Sequence, residues 1–324
     1  MDQDTKAPRR LYKYRSFSNW TIEILVSDRL HYSDPAEFND PLDTKPCLQA
    51  DLPVPEMREL LRNLIQNRVR AEMEAAAKTI RYRGPKTIEH IDKHSKRRAE
   101  EMIEKIAYNA NDPSYEIKNP ELYLLGQYVE EELVRQYEKG VVSLAERVTC
   151  PLMWSHYGDQ HKGICIGYSV PDRAKPSLHK VEYGGSRFVR ASNVAAMQKG
   201  DDAARRGVDD AVWLRKAESW RYEREWRLIG PRGSHDCPLE MEEVIFGMRC
   251  TTAVQYAIVK ALEYRDQEVK FFEMVPQWGT FSLKKVSLEI DELKRDMRRI
   301  RVEDWFEEIE PEPGSESEVI TQGS

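Results

Sequence analysis

Leu11-Tyr-Lys-Tyr-Arg15 alternates an aromatic pair (Tyr12, Tyr14) with a basic pair (Lys13, Arg15), the period of two that a strand imposes. The two kinds then fall on opposite faces. Ile22, Ile24 and Leu25 share one face of a short helix that Ser18 or Asn19 can cap, and Leu30-His-Tyr-Ser33 reads as a second strand stopped by Asp34-Pro35. In Phe38-Asn-Asp-Pro-Leu-Asp43, Asn39 and Asp40 precede a proline and predict a turn closed by side-chain to backbone hydrogen bonds.

Residues 53–140 change period. Met57, Leu60, Leu61, Leu64 and Ile65 recur at helical spacing, as do Leu125, Tyr128, Val129 and Leu133 before Gly140, and Ile88, Ile91, Met102, Ile103 and Ile106 support one more helix between them. The block therefore holds two or three long helices. Strand character returns at Val141-Val-Ser-Leu144 and in 163–170, where Ile164, Ile166 and Tyr168 share a face, with a helix over 152–161 between the two. Further strands are predicted at 180–183, 222–229, 243–246 and 269–274. A helix ends near Trp220, and a last one covers 288–301.

This order gives an α+β protein with mixed or antiparallel central sheets and a large helical insertion. Residues 1–52 form the first part of the core, 53–140 the insertion and 141–285 the second part. A basic helix (286–302) and an acidic tail (303–324), expected to be mobile, complete the chain.

Composition sharpens that picture. The 324 residues carry 50 Lys plus Arg against 56 Asp plus Glu, a formal charge of −6, and no run of about 18 apolar residues could span a bilayer. No membrane role is expected. Eight carboxylates lie between Glu303 and Glu318 with no cation after them, so the rest of the chain is close to neutral and the sign of the net charge excludes no nucleic-acid partner. The cysteines, Cys47, Cys150, Cys165, Cys237 and Cys250, are scattered and odd in number, and the first ten residues lack an apolar signal-peptide core. Both features predict a reducing cytoplasm.

Candidate chemistry centres on Trp220-Arg-Tyr-Glu-Arg-Glu-Trp-Arg-Leu-Ile229. On a strand, Arg221, Glu223, Glu225 and Arg227 share a face, and two carboxylates flanked by guanidiniums are held ionised. Such a pair can bind a ribose hydroxyl, stabilise an oxocarbenium-like cation, act as a base or ligate a divalent ion; a salt-bridge ladder on a solvated strand accounts for it too. Within 151–163, Trp154 and Tyr157 lie three apart on a helix and can stack on a flat ring beside Ser155 and His156, or simply pack the helix onto the sheet. Cys150, His156, His161 and Cys165 have zinc-ligand chemistry but no standard spacing, so metal is not expected. Lys13 and Arg15 could meet a phosphate, or a carboxylate such as Glu223 or Asp43. Neither a dinucleotide-binding glycine fingerprint nor a P-loop occurs.

Four stretches together, Leu11-Tyr-Lys-Tyr-Arg15, Phe38-Asn-Asp-Pro41, Met153-Trp-Ser-His-Tyr157 with Lys162-Gly-Ile-Cys-Ile-Gly167, and Tyr222-Glu-Arg-Glu-Trp-Arg227, resemble a large bacterial family of unknown function numbered twenty-nine seventy-one. The resemblance runs from about Leu11 to about Cys250 and implies no activity. A more distant likeness is to the ADP-ribosyltransferase fold, whose members cleave NAD and pass ADP-ribose to a protein, nucleic acid or small acceptor. That likeness implies Lys13 or Arg15 as the first-strand cation holding the pyrophosphate, Ser143 or Tyr157 in the middle position, and Glu225 against the ribose 2′-hydroxyl, with Glu223 turned to the acceptor. Trp154 or Tyr157 would stack on nicotinamide, with His156 and Arg227 nearby, and Glu225→Gln would abolish turnover with the fold intact. The chain departs from that fold's pattern in having no first-strand His and no Ser-Thr-Ser triplet. The expected protein uses NAD as a substrate, with an unknown acceptor and a toxin or phage-defence role. Two other classes stay open: a metal-dependent nuclease built on Glu223, Glu225, Asp40 and Asp43 around Mg²⁺ or Mn²⁺, and a non-catalytic partner-binding or defence-associated scaffold that uses the helical insertion and the acidic tail, the insertion binding a partner protein or a second copy.

Overall fold

The computed structural model describes residues 7–79 and 86–296. β1 (Arg10–Arg15) leads into α1 (Asn19–Ser27), whose first turn is capped by the Ser18 hydroxyl accepting from the Thr21 amide and whose end is marked by Asp28 in the left-handed conformation. β2 (Arg29–Tyr32), one 3₁₀ turn at Pro35–Glu37 and the short β3 (Cys47–Gln49) follow. The region of helical spacing then forms α2 (Val54–Thr79), α3 (Thr87–Asn109) and α4 (Pro120–Gln136). Met57, Leu61 and Leu64 of α2 bury against Ile103 and Ile106 of α3 and Leu125, Val129 and Leu133 of α4, the three apolar stripes making one core. Asn119 caps α4, and Pro120 occupies the first helical position, where no backbone donor is needed.

The second half begins with β4 (Gly140–Ala145), α5 (Pro151–His156) and β5 (Ile164–Ser169). β6 (Leu178–Lys180), β7 (Glu182–Tyr183), β8 (Phe188–Arg190), α6 (Ala191–Gln198), α7 (Asp202–Trp213) and β9 (Arg215–Lys216) bring the chain to a 3₁₀ segment at Glu218–Glu223. Then come β10 (Glu225–Gly230), β11 (Gly233–Asp236), β12 (Glu240–Phe246), α8 (Thr252–Ala261), β13 (Lys270–Pro276), β14 (Leu283–Ser287) and α9 (Ile290–Asp296). The class is α+β, as expected.

Eight strands make the main sheet, in the order β14-β13-β12-β5-β1-β4-β10-β6, antiparallel apart from the parallel β12–β13 pair. Its centre is uneven. β1 pairs with β5 along all six residues, from Arg10↔Ser169 to Arg15↔Ile164, and β4 pairs with β10 along six, yet β1 and β4 share the single pair Tyr12↔Ala145. The sheet is therefore two full ladders joined at one point. One face buries Leu11, Leu144, Ile166, Trp226 and Phe246 with Leu25 of α1 and Ile258 of α8; the other buries Tyr14, Ala145, Cys165 and Ile245 with Met153 and Trp154 of α5. Gly167 is required in β5, because a Cβ there would lie 2.5 Å from Cγ of the buried Glu243.

Several predicted elements differ. The helix over 152–161 stops at His156, because Asp159, Gln160 and His161 all take positive φ (50°, 52° and 69°) and reverse the chain. The strand over 222–229 starts only at Glu225, after the 3₁₀ segment and a left-handed Arg224. Residues 180–183 belong to two strands in different sheets, and the helix ending near Trp220 is two helices followed by β9. α8 and β14 were not anticipated. Of the basic helix, Lys294 and Arg295 lie in α9; Arg298, Arg299, Arg301 and the acidic tail fall outside the described residues. All five cysteines are free, and among the described residues no helix is long and apolar enough to cross a membrane.

Candidate functional site

Where the β1–β4 ladder is missing, a cavity of about 310 Å³ opens. Tyr12, Lys13 and Tyr14 of β1 form one wall and Ser143, Leu144 and Ala145 of β4 the other. Phe38 and Asn39 from the predicted turn, Met153 and Tyr157 around α5, and Lys216, Glu223 and Glu225 also line the cavity. All four sequence stretches of the first family resemblance thus supply residues to one space. In the turn, the Asp40 carboxylate accepts from the Leu42 amide at 2.9 Å, so Asp40 serves the backbone, and the chain delivers Asp43 inward instead.

Five charged side chains meet at the inner end. Arg227 is 0% exposed; its Nε donates to Glu225 Oε1 (2.8 Å), its Nη2 to both Asp43 oxygens (2.9 and 2.7 Å) and to Glu225 Oε2 (3.0 Å), and its Nη1 to the Trp213 carbonyl (2.7 Å). Lys216 Nζ reaches Glu223 Oε2 at 2.5 Å, Glu225 Oε2 at 2.9 Å and Asp43 Oδ2 at 3.3 Å. Three carboxylates and two cations thus compensate one another, which is the condition for keeping charge in an interior. On the outer side, Tyr157 donates to Glu223 Oε1 at 2.6 Å and accepts from Asn39 Nδ2 at 3.1 Å.

The two glutamates are made into different acids by these contacts. Burial alone would raise Glu225, but Arg227 and Lys216 outweigh it and hold the carboxyl far below the usual range, with Ser143 adding a hydrogen bond. Glu223 moves the other way. Its burial is only partly offset by Lys216, and the Glu225 charge pushes it further, so its pKa is raised. Burial would lower Lys216, yet Glu225, Asp43 and Glu223 prevail and fix it as a cation. Burial and Glu223 raise the Tyr157 phenol, which therefore remains a donor. Lys13 stands apart: burial, reinforced by Arg15, brings its ammonium down to about 7.

Of the nine residues singled out in the sequence, Glu223, Glu225, Tyr157, Lys13 and Ser143 line the cavity, and Arg227 lies directly behind it. Three do not contribute. Trp154 is 0% exposed, donates to the Val148 carbonyl and meets Tyr14 edge to face at 5.1 Å, so it packs α5 on the sheet and cannot stack on a ligand. His156 lies outside, against Trp220 and Tyr222. Arg15 is enclosed beside Tyr168, and among the described residues its Nε has no hydrogen-bond partner. Arg221 also leaves the predicted face, pairing with Glu218 at the surface. The zinc set does not assemble, Cys165 being buried in the β5 core and His161 stacked on Trp154, and among the described residues no group of three His, Cys, Asp or Glu side chains is arranged to hold a metal. The nuclease set is also disrupted, since Asp40 is spent on its turn and Lys216 sits between the other three carboxylates.

Sequence reasoning missed Lys216. It sits in a two-residue strand between helices and carries no periodic signal, so nothing nearby marks it. Asp43 was read as a partner of Lys13 or Arg15 and instead pairs with Arg227 and Lys216. Asn39 was read as a turn former and instead orients Tyr157.

Residues 153–228 match the model of a family described as protein of unknown function (DUF2971). The match covers the Met153–Tyr157 and Tyr222–Arg227 stretches and bears out the first of the two resemblances. No curated protein and no solved structure matches the chain.

Proposed function

We propose that the cavity is the active site of an enzyme that cleaves the glycosidic bond of a nucleotide, NAD foremost, passing the ADP-ribosyl group to an acceptor or to water. The observation that carries this reading is the pair of adjacent glutamates whose surroundings drive their acidities apart. Departure of nicotinamide leaves positive charge on the ribose, and a fixed carboxylate facing that carbon stabilises it electrostatically. Both oxygens of Glu225 are already committed to Arg227 and Lys216. Glu223 accepts two hydrogen bonds, one on each oxygen, against the three that Lys216 and Arg227 give Glu225, and it lines the cavity. The roles implied by the distant likeness are therefore exchanged: Glu223 faces the ribose and takes the acceptor's proton, and Glu225 holds Lys216 and Arg227 in place. Tyr157 orients Glu223, and the rings of Tyr12, Tyr14 and Phe38 give the nicotinamide an apolar wall.

A cavity of this size admits the nicotinamide-ribose half of the dinucleotide and leaves the adenylate half at the mouth. The test is incubation of the purified protein with NAD, with free nicotinamide measured by chromatography. Wild type releases nicotinamide, and Glu223→Gln lowers the rate by about 10²- to 10⁴-fold, the usual contribution of a positioned acid-base group. Wild-type protein that neither binds NAD in calorimetry nor consumes it would sink this reading.

A further inference from the structure

Two lysines line the cavity, and their surroundings are opposite. Lys216 stands among Asp43, Glu223 and Glu225. Lys13 has one hydrogen bond, from its Nζ to the Ser143 carbonyl at 3.0 Å, and among the described residues its ammonium makes no ion pair. That bond crosses the gap between β1 and β4, so the amine sits inside the split at the cavity wall. The charged groups acting on it are Arg15 on the same strand, which repels a proton, and Glu225 on β10, which attracts one; Cys165 on β5, its pKa raised well above the ordinary value by burial, is a neutral thiol. The nearby carboxylate is already compensated by Arg227 and Lys216, so it does little to hold Lys13 charged. Tyr12, Tyr14, Leu144 and Met153 supply the apolar part of the lining, and the cavity's other carboxylates are Glu37, Asp43 and Glu223. A desolvated lysine beside another cation, with no counter-ion of its own, is the arrangement that turns an ammonium into a nucleophile.

We propose that Lys13 is an amine nucleophile that captures the open-chain aldehyde of a sugar as a Schiff base within this cavity. The Nζ lone pair attacks the carbonyl carbon, forming the C–N bond, and one amine proton passes to the oxygen to give a carbinolamine. The hydroxyl then leaves with the second amine proton as water while the C=N bond forms. The step is a condensation and needs no oxidant or reductant. Glu223, hydrogen-bonded to Tyr157 and Lys216 in the same cavity and with its pKa raised by burial, is the carboxyl group placed to relay the proton on which loss of the hydroxyl depends. The ligand class is an aldose that opens to its aldehyde, small enough for about 310 Å³. Capture requires no glycosidic cleavage, so the proposal stands whether or not NAD is the substrate.

The experiment uses the full chain with ribose 5-phosphate or glyceraldehyde and cyanoborohydride at pH 7, followed by intact mass and peptide mapping. The expected result is one fast adduct on the Lys13 peptide, formed at least about tenfold faster than on Lys216 or the surface lysines, whose neutral fraction at this pH is small. The chain's α-amine, whose ordinary pKa of about 8 is the lowest among unperturbed amines, serves as the internal reference. Lys13→Arg removes the fast adduct and, with its charge retained, shows by its melting curve whether the fold is kept; Lys13→Met gives the same readout with the charge removed. Equal labelling of Lys13 and the surface lysines, or a fast adduct that persists in both folded variants, overturns the proposal.

Discussion

Glu223 and Glu225 are the same side chain two positions apart, and their partners give them different consequences for stability. Removing the Glu225 charge leaves Arg227 and Lys216 under-compensated in the interior, which costs about 3–5 kcal/mol. Glu225→Gln is therefore expected to unfold at markedly lower denaturant concentration, and the sequence-based expectation of an intact fold is replaced by this one. For Glu223 the sign reverses. A carboxyl whose folded pKa is raised costs stability above its unfolded value, so Glu223→Gln should remain within about 1 kcal/mol of wild type at pH 7 while losing activity. Lys13 gives a pH dependence. With its folded pKa near 7 and its unfolded one near 10.4, the unfolded chain binds the extra proton between those values, so stability rises with pH across that window. Lys13→Met should be more stable than wild type at pH 7, and thermal melts at pH 7, 8.5 and 10 should show the advantage shrinking toward zero.

At the scale of the element, the decisive position is Arg224. Period-two alternation would have placed Glu223 and Glu225 on one strand face, and the chain achieves their convergence by another route. A 3₁₀ segment carries Glu223, Arg224 turns the backbone at φ 46°, and β10 begins with Glu225. Non-glycine residues resist that conformation and β-branched ones resist it most, by about 1–2 kcal/mol. Arg224→Gly and Arg224→Val both lose the same exposed side chain, so comparing them isolates the backbone. The valine variant should be the less stable by that amount in chemical denaturation and should lose activity, whereas equal stability of the two would show that the left-handed turn is not required. The turn at Asp40 shows the opposite case, in which local chemistry was enough: side-chain to backbone bonding marked it in the sequence and it forms as expected.

In the whole molecule, the cavity exists because the main sheet is joined across its middle by one residue pair. Each ladder on its own is fully bonded: β1 with β5, β4 with β10. Hydrogen exchange should therefore distinguish the two edges of β4, with amides directed to β10, and that of Val141, which donates to the Ser33 carbonyl, well protected and those directed to the gap exchanging faster. Uniform protection along β4 would mean that the split closes in solution. The helical stripes of 53–140 and the alternation of β1, β4 and β5 were legible because burial imposes a period on sequence wherever an element has one apolar face. Short strands such as β7 and β9 span two residues each and carry no period, which is why the approach to Lys216 was unreadable.

The amino-acid sequence by itself determined the class of fold, the three-helix block, the main strands and six of the residues at or behind the cavity, since periodicity, capping and turn chemistry act between near neighbours. The tertiary structure alone decided which charges meet. Asp43 and Arg227 are 184 residues apart, Lys13 and Ser143 130, and Tyr157 and Glu223 66. No local rule links such positions. Only the strand order that sets β1, β4 and β10 side by side makes one lysine a fixed cation, leaves the other without a counter-ion, and separates the acidities of two glutamates that look equivalent in the chain.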